Sequence, residues 1–243
     1  MAPLCHVLIL NPQSSIQSMS FTLIHGSTQN AHAWQRVADR LRAQGHVVEA
    51  PDLPKNEPTW DLCRYAGFIA ERIPAERPRV VVAHSFCGVF LPLIAEHADV
   101  LVFDAAIVPE PGRSVREQLV GDPSMFTREW IAAGLRWVDP REHEALAREF
   151  LFHDCDADTL RWALTTLELF HIQQLVGERC PLQAWPDVEC HSIVPTRDRT
   201  VTPEWQRRMA RHAIEIDAGH APHVSRPEEV SAILHQLSIV KNT

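Results

Sequence analysis

The run Val80-Val81-Val82-Ala83-His84-Ser85-Phe86-Cys87-Gly88 decides how the chain is read. Three consecutive valines form a short β-branched run of the kind that makes a strand buried on both faces. From Phe86 onward the residues read as a helix, so Ser85 stands on a strand-to-helix turn. A serine there projects its Oγ clear of both elements. The residues two before and two after must be small, because larger side chains would crowd the bend. Ala83 and Cys87 meet that condition, although glycine would meet it with less crowding. Taken alone, the run also fits an ordinary capped helix start. Its surroundings have to choose.

Those surroundings alternate strands and helices. Phe21–Ile24 is an apolar run closed by His25-Gly26. Trp34, Val37, Ala38 and Leu41 recur at helical spacing until Gly45 stops them. His46–Ala50 reads as a strand ended by Pro51-Asp52, Leu62–Ile73 as an amphipathic helix, and Val100–Phe103 as a further strand. This β-α-β-α order predicts a mainly parallel sheet with helices on both faces. Beyond it, strand patterns vanish. Met125–Val138, Pro140–Phe152 and Ala157–Leu175 read as helices rich in Trp, Phe and Leu. They place a helical cap at 109–186, inserted between two stretches of core at 19–108 and 187–243. Strands return at Cys190–Val194 and Ala213–Ile216, and a helix at Pro227–Leu237 closes the chain. Residues 1–18 are either a leader or a first edge strand at Cys5–Leu10. No Lys or Arg precedes their apolar stretch and no clear small-residue cleavage site follows, so they do not read as a signal peptide.

Composition narrows the function. The 243 residues hold 45% hydrophobic and 22% charged side chains, enough to build a real core. Lys+Arg 23 against Asp+Glu 31 gives a net charge of −8, which argues against a nucleic-acid partner. No apolar run approaches the ~20 residues of a membrane span. The six cysteines have no C-x-x-C spacing. They are expected to be free thiols in a reducing, cytoplasmic setting, with no metal site.

An activated serine needs a base, and the base needs an acid to orient it. Ile193-Val-Pro-Thr-Arg-Asp198 reads as a strand running into a loop that presents Asp198. Ile214-Glu-Ile-Asp-Ala-Gly-His220 reads as another that presents His220. Ser85, Asp198 and His220 thus all follow strand C-termini, where open α/β sheets place their sites. Each alone would pass for a surface loop residue; the three in this order and context do not. His25-Gly26-Ser27-Thr28 follows the first strong strand. A turn there can aim the Ser27 N–H at the same point as the Phe86 N–H, forming an oxyanion hole.

At this point the chain resembles the α/β-hydrolases, and within them the branch of plant methyl esterases and hydroxynitrile lyases. The resemblance rests on Phe21-Thr-Leu-Ile-His-Gly-Ser27, Gly45-His-Val-Val-Glu-Ala-Pro-Asp52, Ala83-His-Ser-Phe-Cys-Gly88, Thr196-Arg-Asp-Arg-Thr-Val-Thr-Pro-Glu204 and Gly219-His-Ala-Pro-His223. It covers nearly everything from 20 to 240 except the insertion. It implies that Ser85, Asp198 and His220 form a catalytic triad. Ala83 and Cys87 depart from the family's usual glycines and bring the turn geometry into question. By the same resemblance, the cyanohydrin lyases carry Thr where this chain has Gly26, and many set a Lys beside the catalytic His. Gly26 and the absence of that Lys favour ester hydrolysis.

Rival sites are weaker. Cys87 should point into packing. Asp104 is an alternative acid. His84 either lines the pocket or packs, and His223 reads as a neighbour of His220. His153-Asp154-Cys155-Asp156 has a faint metal-ligand look but crowded spacing. Of Phe126, Trp130, Trp137, Phe150 and Phe152, most are expected in the cap core. Gly26, His84 and Trp130 are the candidate pocket residues. The expectation is an α/β-hydrolase fold carrying a serine carboxylesterase for a small-molecule ester, without cofactor. A lyase using the same triad and a non-catalytic small-ligand binder remain as alternatives.

Overall fold

The computed structural model describes residues 18–55, 57–138, 142–170 and 172–237. The leader or edge strand expected at 1–18 falls outside them but for Ser18. Among the described residues, six strands form one sheet: β1 Ser20–Ile24, β2 Val47–Glu49, β3 Arg79–His84, β4 Val100–Asp104, β5 Glu189–Pro195 and β6 Ala213–Ile216. Their spatial order is β2-β1-β3-β4-β5-β6 and every pairing is parallel. The order reverses between β1 and β3, which opens a crevice at their C-terminal ends.

Successive side chains on a strand face opposite ways, and the two cores follow that alternation. Phe21, Leu23, Val80, Val82, Val100 and Val102 pack on one face with α1 (Gln35–Ala43) and, from the chain's end, Pro227–Gln236. Ile24, Val81, Ala83, Leu101 and Phe103 pack on the other with α2 (Leu62–Ala70) and the helix Ser85–His97. That helix is wound as 3-10 turns. It carries Pro92, whose missing amide N–H interrupts α-helical bonding.

Between β4 and β5 come α3 (Val115–Gly121), α4 (Arg128–Ala133), α5 (His143–Leu146), α6 (Ala157–Leu164) and α7 (Gln173–Gly177). Two expected helices are corrected here. The one expected from Met125 begins at Arg128, because the Thr127 side chain caps it and Phe126 pairs with Val201 instead. The one expected over 157–175 breaks after Leu164. Thr165 and Thr166 turn their hydroxyls back to the carbonyls of Trp162 and Ala163. The following chain then pairs with the turn after β1, through Asn30 N–H to Thr166 O (2.9 Å), Glu168 N–H to Thr28 O (3.1 Å) and Phe170 N–H to Ser27 O (2.7 Å). Lys55, nearly buried, bridges Asp52 and Glu168 across the same seam. A third core joins Leu146, Phe150 and Phe152 to Ala221 and Val224 beside His220. α8 (Pro203–Met209) follows β5. α9 (Pro222–Ser225) and α10 (Pro227–Gln236) follow β6. No helix among the described residues is long and apolar enough to cross a membrane.

Candidate active site

Ser85 is the residue at which β3 turns into its helix, and its φ is +56°. A non-glycine residue adopts that left-handed conformation only at a cost, so the surrounding fold must enforce it. The turn lifts Ser85 into partial exposure between buried His84 and Phe86. Ser85 Oγ lies 2.9 Å from His220 Nε2. His220 Nδ1 lies 2.9 Å from Asp198 Oδ2. A carboxylate only accepts, so Nδ1 carries the hydrogen and Nε2 offers its lone pair to the Ser85 hydroxyl.

Asp198 is buried in the loop that follows β5, and every hydrogen bond to its carboxylate comes from a donor. Its Oδ1 accepts from Thr200 N–H (2.7 Å) and Thr200 Oγ–H (2.8 Å). Its Oδ2 also accepts from Gln206 Nε2 at 2.8 Å. Thr200 and Gln206 were not singled out from sequence. Thr200 follows the signature of a carboxylate bonding the backbone two residues on. Gln206 is a buried amide on α8 that no local pattern marks.

The β1 turn meets the serine directly. A Cβ on Gly26 would come within 2.5 Å of His84 Nδ1 and 3.1 Å of Ser85 Cβ. Only glycine fits there, and it leaves Ser27 beside the crevice. Phe86 sits in the first turn of its helix, where N–H groups find no partner in a preceding turn. His25 supports this turn: its Nδ1 contacts Gly26 O at 2.8 Å and its Nε2 accepts from Leu53 N–H at 3.0 Å.

Ser27 opens onto a cavity of about 470 Å³ walled by Trp130, Trp137, His143 and Phe170. Of the five cap aromatics expected mostly in the core, Phe150 and Phe152 are buried there, whereas Phe126 is half-buried and Trp130 and Trp137 face the cavity. Of the three expected pocket residues, Trp130 lines this cavity. Gly26 and His84 are buried beside Ser85 instead. Cys87 is wholly buried in the apolar core, and burial pushes its thiol far above the ordinary range. Asp104 bonds His223 and not His220 (2.8 Å). Residues 153–156 disperse: His153 contacts Arg197 O, Asp154 accepts from Gly219 N–H, and Asp156 caps α6. Cys63, Cys87, Cys155, Cys180 and Cys190 are free thiols. Among the described residues, His84, Asp104 and His223 form the metal-sized cluster, and Asp104 and His223 already bond one another.

A parallel sheet with this order, a left-handed serine after β3 and a histidine and carboxylate after later strands define the α/β-hydrolase architecture. Residues 23–233 match the Alpha/beta hydrolase family, and the chain belongs to it. Among curated relatives, Methylesterase 7 of Arabidopsis thaliana is 26% identical, with 90% of this chain and 95% of the relative covered. The solved structure of a polyneuridine aldehyde esterase mutant superposes with a TM-score of 0.71 at 21% identity, covering 91% of this chain and all of that one. An extracellular α/β-hydrolase from a Paenibacillus species, described as sharing structural and functional homology with tobacco salicylic acid binding protein 2, gives 0.71 at 16% identity. It covers 90% of this chain and 98% of its own.

Proposed function

We propose that the protein is a serine carboxylesterase acting on a small-molecule ester. The observation that carries this reading is the continuous line Asp198–His220–Ser85, 2.9 Å at each link, ending on a strained, part-exposed serine. In the proposed route His220 Nε2 takes the Ser85 proton as Oγ attacks the ester carbonyl. The N–H groups of Ser27 and Phe86 hold the oxyanion of the tetrahedral intermediate. His220 returns the proton to the departing alcohol. It then takes a proton from the water that attacks the acyl group left on Ser85 Oγ, and passes that proton to Oγ as the C–O bond breaks and the acid leaves. Asp198 holds the imidazole in the required tautomer throughout. The route needs no cofactor.

The segment 109–186 acts in this reading as the cap. Its Trp130, Trp137 and Phe170 give the substrate an apolar, ring-lined compartment. Kinship with a methylesterase supports a methyl ester, with the acyl part in that compartment. Gly26 supports hydrolysis over cyanohydrin cleavage, since the position where those lyases carry Thr has no room for even a Cβ here. Free thiols at Cys63 and Cys155 fit a cytoplasmic setting.

A fluorophosphonate probe, followed by peptide mapping, tests the nucleophile. Label on Ser85, together with turnover of a panel of methyl and p-nitrophenyl esters, is expected. An unlabelled, folded protein that turns over none of the panel would point to the ligand binder.

A further inference from the structure

Behind Ser85 lies a second imidazole–carboxylate pair that this route does not use. In the parallel register of β3 and β4, His84 is the partner of Asp104, so both side chains leave the sheet on one face. Both are fully buried. His84 Nε2 lies 2.9 Å from the backbone oxygen of His220. A carbonyl can only accept, so Nε2 carries the hydrogen and Nδ1 is left bare, without a partner. The His84 ring lies 4.9 Å from that of His220 and meets the His223 ring edge-on at 4.4 Å. His223 is itself fixed twice, by Asp104 Oδ2 at 2.8 Å and by stacking on Trp34 at 4.2 Å.

Three buried polar atoms here lack partners: His84 Nδ1, Asp104 Oδ1 and His223 Nε2. Apolar side chains would fill such a space at less cost. The geometry offers a reason for keeping polar ones. Ser85 follows a central strand, whereas His220 follows β6 at the sheet's edge. The residue adjoining the serine in the chain is the one that grips the histidine's carbonyl. Resting on the esterase reading above, we propose that His84 is a positioning residue. It ties the His220 backbone to the Ser85 turn, and the Asp104–His223 pair with Trp34 clamps the His84 ring.

Steady-state kinetics on a p-nitrophenyl ester, with fluorophosphonate labelling of the same samples, test this. His84→Ala is expected to lower kcat about 10²-fold, the usual cost of a small misplacement of reacting groups, with KM within about twofold. His84→Gln places an amide N–H within reach of the same carbonyl and should regain about tenfold of that loss, the factor worth about 1.4 kcal/mol. His223→Ala should slow kcat as well. Combined with His84→Ala it should add less than about twofold, because both losses run through one contact. Should His84→Ala not fold, His84→Leu fills the space without a donor and takes its place. The proposal is overturned by a folded His84→Ala or His84→Leu variant with wild-type kcat. A His84→Gln variant no faster than the alanine one, or losses that multiply in the double variant, overturn it too. Labelled wild-type protein alongside any of these results would leave the esterase reading standing. Unlabelled, inactive wild-type protein would remove both.

Discussion

The carbonyl oxygen of Ile107 occupies the space that a side chain on Gly88 would need: a Cβ there would lie 2.4 Å away, with the Ala106 Cβ at 2.9 Å. Ile107 N–H in turn donates to Ser85 O at 3.0 Å. The helix that displays the serine is thus seated on the chain after β4 through position 88, not 87. Gly88→Ala must push helix and loop apart. Overpacking of this kind costs about 1–3 kcal/mol. Urea unfolding should show that loss, and kcat should fall as Ser85 shifts. A folded variant of unchanged stability and rate would mean that the seating is slack.

Cys87 tells the opposite story. Its side chain fills apolar core behind the serine, and the Ser85–His220 spacing is already 2.9 Å. Replacing Ala83 and Cys87 together by glycine should therefore leave kcat no higher. Deleting buried atoms should instead destabilise the fold by about 1–3 kcal/mol. A rise in kcat at constant KM would restore the idea that these residues crowd the turn.

Ser85→Ala should remove esterase turnover by on the order of 10⁴–10⁶-fold, as loss of a triad nucleophile does. Cys87→Ala should keep most of it. Initial rates and probe labelling read both, and the reverse ranking would move the nucleophile.

Two buried carboxylates sit at neighbouring strand ends, and only Asp198 touches His220. Asp198→Asn should cost about 10⁴-fold in kcat, the effect of losing the acid that fixes the tautomer. Asp104→Asn keeps an oxygen to accept from His223 and should cost far less. Equal losses in kcat would show that Asp104 serves His220 as well.

His46 gives the fold a pH dependence. Its Nδ1 accepts from Met19 N–H, and its Nε2 lies 2.8 Å from His235 Nδ1. Burial, reinforced by His235, lowers its pKa below 6.5. A lowered histidine pKa means that the unfolded chain binds the proton more readily. The stability it confers is complete above pH 6.5 and drains away as pH falls from there toward the folded pKa. Thermal melts at pH 7.5 and 5.5 should show a smaller drop in Tm for His46→Asn than for the wild type. An equal drop would assign the acid sensitivity to other histidines.

What the sequence disclosed follows from what each signal depends on. The strands announced themselves because Val80–Val82 and Val100–Phe103 are apolar runs whose meaning is local. Ser85, Asp198 and His220 were visible because each follows such a run. Gln206 and the Asp104–His223 pair were not recognised as partners. The latter are 119 residues apart, and only the placing of α9 at the C-terminal end of β4 brings them together. The break after Leu164 was missed for a similar reason. The stretch 157–175 keeps helical periodicity, and what ends the helix is pairing with a turn more than 130 residues earlier.

That pairing has a consequence for anyone redesigning the protein's selectivity. The strip 166–170 is stitched amide by amide to 27–30, and Ser27 belongs to the stitched strip. A transplant of the whole region from another relative would bring a new lining, but also a new tension on the turn after β1, where the proposed route places its oxyanion donor. Selectivity and rate would then drift together. Grafts that stop short of Thr165 and resume after Phe170 leave the seam intact, and with it the freedom to alter the lining alone.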